Sequence, residues 1–495
     1  MIIPTSWREA LLYLGLGVVA IFACNAVYNV FFHPLRHFPG PKSHAMSRIP
    51  YTYHWVRGDL VRHITALHRE HGDIVRLAPD ELSFGDPQAW GDIMGGGSRD
   101  LQKWNGVFDI PNFLPTHVQN TTDKSRHRML RKAMGPGFSD AALRAQEHIV
   151  ASHVDQFVQK LRGRRGVVDL EVWYRFIVFD VIGDLAFGES FGCANGAEFH
   201  PYIRQICETA VMISYLMAIN MYPILRNVVN FLIDGVARRG FDAQAQTLMP
   251  ALERRIKLQE QRLDLVDPLI GKMNEWKWTI NDLIPHAIMI VGAGSETTAG
   301  VLCGTTALLL EHPEAMARVT EEVRSAFSSD GEINLERVDS RLPYLRACID
   351  EAMRLYPVPG CASLRITGDR DIICGVPMPP KTVVGLWPYA VYRDPKLWRN
   401  PDEFHPERWL GDPEYINDAR KAFNPFHIGS RDCVGRGLAV MELRLIMARM
   451  IYNFDMHLMG AGMKEDSRSW VDRQKNFFIV WERVPLEVVL TPTKS

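Results

Sequence analysis

Nothing in this chain divides it. Across 495 residues there is no Ser/Gly-rich linker, no block of like charge and no internal repeat after the N-terminus. A length that allows about three domains of ~150 residues is therefore read as one large core. Neither charge is in excess, since 56 Lys and Arg face 57 Asp and Glu and leave a formal net charge of −1. That balance gives no global attraction to a polyanion, so no nucleic-acid partner is expected. The eight cysteines, Cys24, Cys193, Cys207, Cys303, Cys348, Cys361, Cys374 and Cys433, form no CxxC pair and no zinc-ligand grouping. Reduced thiols in a cytosolic compartment fit best. No GxGxxG lies between a strand and a helix, so any reaction needing flavin or nicotinamide electrons must receive them from another protein.

What the chain does have begins at its N-terminus. From Ala10 to Phe32 it carries no formal charge, and Leu11, Leu12, Leu14, Leu16, Val18, Val19, Ile21 and Phe22 dominate the first half. The run exceeds the ~20 residues needed to span a bilayer. A cleavable signal peptide would want a basic cluster before it and a small-x-small site after it, and neither is clear. A buried core helix is the other alternative, and Asn25 and Asn29 weaken the second half of the span. His33, Arg36, His37, Lys42 and Arg48 follow the run, which places the body on the cytosolic side by the positive-inside rule. Pro34, Pro39, Gly40 and Pro41 make a stiff connector. The expected organisation is residues 1–32 as a membrane anchor, 33–48 as a proline-rich hinge and 49–495 as one body.

The body reads as mainly α with small β-sheets. A helix is expected over His54 to His71, then a strand hairpin from Asp73–Leu77 to Glu81–Phe84 around Ala78-Pro79-Asp80. Gly95 to Pro115 reads as irregular. Helical periodicity recurs from Asp123 to Tyr356, as in Val150, Val154, Phe157, Val158 and Leu161. Short strands are expected around Arg365–Thr367, Thr382–Val384 and Phe477–Val480. A long helix starts at Thr279, with Asp282 at the capping-box position, tolerates Pro285 early, and stops at Glu311-His312-Pro313. It is apolar nearly all round and should cross the core. In its middle lies Ala293-Gly294-Ser295-Glu296-Thr297-Thr298, where small residues admit a ligand and a threonine hydroxyl can open the helix locally.

The decapeptide Phe426-His427-Ile428-Gly429-Ser430-Arg431-Asp432-Cys433-Val434-Gly435 carries the chemistry. A thiolate needs positive potential and amide donors, and a cysteine just ahead of a helix receives both. Gly429 and Gly435 allow a tight turn and the close approach of a flat macrocycle. Phe426 can cover the sulfur, and Arg431 can pair with a carboxylate on the ring's edge. The following helix has an apolar stripe of Leu438, Met441, Leu445 and their neighbours, interrupted by Glu442, Arg444 and Arg449. Such a cysteine can hold iron; the alternative is a buried structural thiol.

The spacing FxxGxRxCxG resembles the haem-binding loop of the cytochrome P-450 superfamily, and Ala293–Thr298 resembles its AGx(D/E)T(T/S) pattern. Glu351 with Arg354, then Pro406-Glu407-Arg408-Trp409, then the cysteine loop follow the superfamily's order, with Trp409 where Phe is usual. The resemblance implies that Cys433 is the proximal ligand of haem b iron, and that Glu351, Arg354 and Arg408 form a buried cluster. It implies that Thr297 donates a hydrogen bond to dioxygen and that Glu296 links it to water. His127-Arg128-Met129-Leu130-Arg131 resembles the WxxxR helix, so Arg131, Arg365 and Arg431, with His127, are expected at the haem propionates.

The hydrophobic N-terminus and hinge resemble microsomal members, and Pro39-Gly40-Pro41 with His71–Leu82 resembles fungal ones that tailor secondary metabolites. Both resemblances imply a single-pass enzyme of the endoplasmic reticulum membrane with a cytosolic catalytic domain. It would insert one atom of dioxygen into a lipophilic terpenoid, polyketide or alkaloid, with electrons from NADPH through a separate cytochrome P-450 reductase. Arg126, Arg128, Lys132, Arg436 and Arg444 are candidates for docking that acidic partner. Substrate contacts are expected from Gly106–Phe113, Met212–Met217, Ala293, Val358–Ala362 and Phe477. A same-fold isomerase or dehydratase, and a haem sensor without turnover, remain as alternatives.

Overall fold

The apolar run near the N-terminus forms a helix, Trp7–Phe31, whose side chains point outward instead of into a core. In the computed structural model, which describes residues 7–95, 100–108, 115–258, 262, 264–459, 468–477 and 479–493, Leu11–Phe31 is long and apolar enough to cross a membrane. Its last turns touch the body. Asn29 donates to the Met46 carbonyl at 3.1 Å and its own carbonyl accepts from Arg76 at 3.0 Å. The hinge after it plugs Leu35 into a small apolar cluster with Leu82, Trp90 and Leu386.

The expected helix over 54–71 is two helices, Ile49–Arg57 and Leu60–His71. Gly58 breaks them by adopting φ +80°, a left-handed turn where a Cβ would meet the Lys475 side chain at 2.8 Å. Helices then dominate to Leu355. Leu170–Phe187 is buried on nearly every face and packs along the central helix, Ile280–Glu311. That central helix starts as expected, with the Thr279 amide donating to Asp282 at 2.8 Å, and at about 1.5 Å per residue its 32 residues make a rod of ~48 Å. It too is long and apolar enough to cross a membrane, but most of it is buried in protein. The helix after the cysteine loop, Arg436–Asn453, packs against both the central helix and Asp140–Arg162.

The strands are few and short. A five-stranded sheet runs in the order Ile74–Ala78, Glu81–Phe84, Val383–Leu386, Arg365–Ile366, Gln102–Lys103, so the expected hairpin forms one edge. The last pairing sets Lys103 opposite Arg365. A three-stranded sheet joins Val167–Asp169, Glu487–Pro492 and Phe454–Leu458, none of which stood out in the sequence. The expected strand at 477–480 is instead a hairpin of Lys475–Phe477 with Val480–Glu482.

Candidate active site

The middle of the central helix and the loop ahead of Arg436–Asn453 face each other across a cavity of about 320 Å³. That volume lies within the ~300–1,000 Å³ of ordinary small-molecule pockets. Ile182, Met289, Ile290, Ala293, Val358 and Ile479 give it a mainly apolar wall.

Cys433 opens onto this cavity three residues before the helix begins. Its amide donates to the Phe426 carbonyl at 2.9 Å, which closes the loop and keeps Phe426 beside the sulfur. Burial pushes the thiol up, while the Gly435 amide and then Arg131 pull it back. Gly429 has φ +82° and supplies the expected turn. Gly435 does not turn: its φ is −86°, and a Cβ there would meet nothing nearer than Phe138 at 3.9 Å. Its side lies open to the cavity, as the close approach of a flat ring requires.

Cations gather at one end. Arg131 and His127 sit four residues apart on Lys124–Met134 and so share a face, and both line the cavity. Arg131 is held by the Asp432 carboxylate at 2.6 Å and carbonyl at 2.7 Å, which ties this helix to the cysteine loop. Burial, then Arg431 and Arg131, lower His127 to about 4, so it is a neutral hydrogen-bonding ring at physiological pH and not a cation. Arg431 donates to the Thr121 carbonyl at 2.9 Å, and its Nη2 has no partner. Arg365 lies behind the wall, bonded to Ser363 Oγ at 2.7 Å with its Nε unpartnered, and burial and Arg431 lower it to about 10. Lys103, which sequence reasoning passed over, lines the cavity, bonds the Gln119 carbonyl and is pushed far down by burial, Arg365 and Arg431. Lys103 and Arg365, opposed on neighbouring strands, can both hold their charge only if an anion lies beside them. Two propionates meet that demand, so the residues present fit a haem.

The acid and alcohol of the central helix part company. Thr297 lines the cavity and donates to the Ala293 carbonyl at 2.7 Å. Ser295 does the same to Val291 at 2.6 Å, and the helix stays continuous, so the expected local opening is absent. Glu296 is not on the cavity wall. Arg483 binds its carboxylate at 2.9 Å and Arg175 at 3.4 Å, in a cluster that includes Glu171.

Behind the loop, Arg354 grips Glu351 through two bonds of 2.9 and 2.8 Å, and Arg408 adds a third at 2.9 Å, all fully buried. The unusual Trp409 has a use: its indole N–H donates to Glu351 at 3.0 Å. Of the substrate candidates, Ala293 and all of Val358–Ala362 except Gly360 line the cavity. Residues 212–217 and Phe477 do not, Ile479 taking the latter's place. Of Gly106–Phe113, 109–113 lie outside the described residues and 106–108 are off the wall. Arg126, Arg128, Lys132 and Arg436 are exposed, whereas Arg444 is already paired with Asp339. Glu442, read as a break in an apolar stripe, is buried against the cavity. Its spacing of four from Leu438 and Ile446 was the signal that it shares their face.

A family model described as Cytochrome P450 matches residues 45–480. The protein named Cytochrome P450 monooxygenase tpeC, from Talaromyces stipitatus, is 37% identical over 100% of this chain and 97% of its own length. Cytochrome P450 monooxygenase prhB from Penicillium brasilianum is 34% identical over 98% of each. Averantin hydroxylase from Dothistroma septosporum is 36% identical over 97% of this chain and 91% of its own.

Proposed function

The chain belongs to the cytochrome P450 family and is a haem-thiolate monooxygenase, and from that premise we propose its finer role. It oxidises a lipophilic terpenoid, polyketide or alkaloid in fungal secondary metabolism, held to the endoplasmic reticulum membrane by residues 1–32. NADPH supplies electrons through a separate reductase. The carrying observation is that Cys433 and Thr297 line one cavity whose remaining wall is largely apolar.

The overall reaction takes a C–H substrate, dioxygen, two electrons and two protons to an alcohol and water. Haem b, ligated by Cys433, supplies the one-electron chemistry that splits dioxygen. The chain's residues do the rest. The Gly435 amide, and after it Arg131, favour the sulfur as an anion, and Phe426 lines the cavity with it. Arg131, Arg431 and Arg365, with Lys103 and the His127 ring, orient the group through its carboxylates. The apolar wall desolvates the substrate and admits little bulk water. Thr297 keeps its oxygen's lone pairs free while its proton rests on Ala293, so it can accept from one water and pass a proton on by rotating. Glu296 joins that relay only by leaving Arg483 and Arg175. Arg126, Arg128, Lys132 and Arg436 offer an acidic reductase a basic face.

Cys433→Ala tests this reading. It is expected to remove the thiolate-type Soret band of the reduced carbon monoxide complex, and an unchanged band ends the ligand assignment. Substrate-dependent NADPH consumption with added reductase distinguishes oxygen insertion from isomerisation, dehydration or sensing.

A further inference from the structure

Glu442 is a carboxyl group in a place that should not hold one. It is 1% exposed on the helix after the cysteine loop, and it lines the same cavity as Thr297 and Cys433. Among the described residues no cation pairs with it, its Oε1 has no hydrogen-bonding partner, and the polar side chain acting on the group is Thr298, from the central helix. Several charged groups on the elements packed around it are engaged elsewhere, and Asp350 on Pro343–Leu355 is itself raised to about 6 by burial against the pull of Arg444 and Arg346. Glu296 holds Arg483, Glu351 holds Arg354, Arg444 holds Asp339, and Arg449 holds Asp155 and Asp330.

An ionised carboxylate in such a setting costs several kcal/mol, so the group keeps its proton instead. Burial lifts it to about 8, with Thr298 pulling slightly the other way. At neutral pH this is a protonated acid facing a cavity in which reduction of dioxygen consumes two protons. Thr298 lies next to Thr297 in the chain, and both line that cavity. A carboxylic acid bonded to a hydroxyl that itself faces the cavity is a proton store with an outlet.

We propose that Glu442 holds one of the protons used in dioxygen reduction and releases it into the cavity through the Thr298 hydroxyl. The Glu442 O–H bond breaks as its proton passes to the Thr298 oxygen, and the proton Thr298 already carried moves into the cavity. Thr298 ends as a hydroxyl and Glu442 as a carboxylate, with no change of oxidation state at either. Desolvation of that carboxylate then draws a proton back from solvent before the next cycle. This rests on the monooxygenase reading and adds a second donor to it, independent of Glu296.

The test uses the full-length, haem-loaded chain. Infrared spectra should contain a protonated-carboxyl band that shifts in D2O, titrates away near pH 8 and is missing from Glu442→Gln. With reductase and NADPH but no added substrate, Glu442→Gln should reduce oxygen about 10- to 100-fold more slowly. Glu442→Asp should recover part of that rate. The wild-type rate should fall as pH rises through the same midpoint, and that pH dependence should vanish in Glu442→Gln. If the band is absent, or if Glu442→Gln consumes oxygen at the wild-type rate with the wild-type pH profile, the proposal fails and the monooxygenase reading stands. A haem-loaded wild-type protein whose reduced carbon monoxide complex lacks the thiolate-type Soret band overturns the monooxygenase reading, and the donor role falls with it.

Discussion

Thr297 directs its hydroxyl at the Ala293 carbonyl, 2.7 Å away, and among the described residues has no other side-chain bond to lose. Replacing it by alanine removes a weak back-bond and inserts the best helix former, so the fold should be as stable as before or slightly more so. The cavity loses its proton-passing alcohol. Thr297→Ala should therefore bind haem normally yet form about tenfold less product per NADPH, with hydrogen peroxide making up the difference. Peroxide and product measured together check this, and fully coupled turnover would remove Thr297 from the relay. Glu442 makes a prediction of the opposite kind. Its usual value of 4.5 rises to about 8 in the folded chain. Between those limits folding takes up a proton that the unfolded chain lacks, so stability declines as pH climbs from about 4.5 and levels off above 8. Each pH unit in that window is worth about 1.4 kcal/mol. Glu442→Gln has no such proton to acquire and should melt higher than wild type at pH 7, the gap closing near pH 4. A merely structural glutamate would lose stability and oxygen reduction together, whereas a proton store gains one while losing the other.

At the level of elements, the helix Pro343–Leu355 is fastened to the segment before the cysteine loop by one buried carboxylate. Glu351 accepts from Arg354, Arg408, the Trp409 indole and the His405 amide. Removing the carboxylate strands the buried Arg354 guanidinium, while Arg408 keeps Asp418, at a cost of about 3–5 kcal/mol. Glu351→Ala is accordingly expected to yield little folded protein, and what folds should hold haem weakly. Haem retained per chain after thermal challenge measures this. The order of Glu351, Arg354, Arg408 and Cys433 along the chain was legible because each lies in a short local pattern. So were the central helix, through its capping box and terminal proline, and the edge hairpin, through its turn residues. What escaped depended on contacts distant in sequence. Lys103 became visible only when strand pairing set it opposite Arg365. The three-stranded sheet joins residues 167–169 to 487–492 across most of the chain, and no local pattern encodes that pairing. Gly58 was a single residue inside an otherwise good helical period, and its backbone angle decided the break. The Glu296 side chain chose Arg175 and Arg483 because those arginines come from a neighbouring helix and the C-terminal segment, which spacing along its own helix cannot reveal.

Across the whole molecule, the apolar N-terminal helix and the body meet at a narrow seam. The helix is almost entirely exposed, and its described hydrogen bonds to the body are those of Asn29 with Met46 and Arg76. Such bonds contribute about 0.5–1.5 kcal/mol each. The hinge is a different matter, because Leu35 is 1% exposed in a cluster under the five-stranded sheet. Two truncations thus separate anchoring from folding. Deletion of residues 1–32 removes the apolar span but leaves Leu35, and the product should leave the membrane fraction while keeping its haem spectrum and nearly its full melting temperature. Deletion of residues 1–38 also empties the Leu35 site, and a vacated leucine pocket costs about 2–5 kcal/mol. That shorter chain should melt measurably lower although both lack the same span. Fractionation of membranes and thermal denaturation of the two products decide the matter. A 1–32 deletion that stays in the membrane pellet would show that the body holds the bilayer by itself. Equal melting temperatures would show that Leu35 is dispensable and that the hinge acts only as a tether.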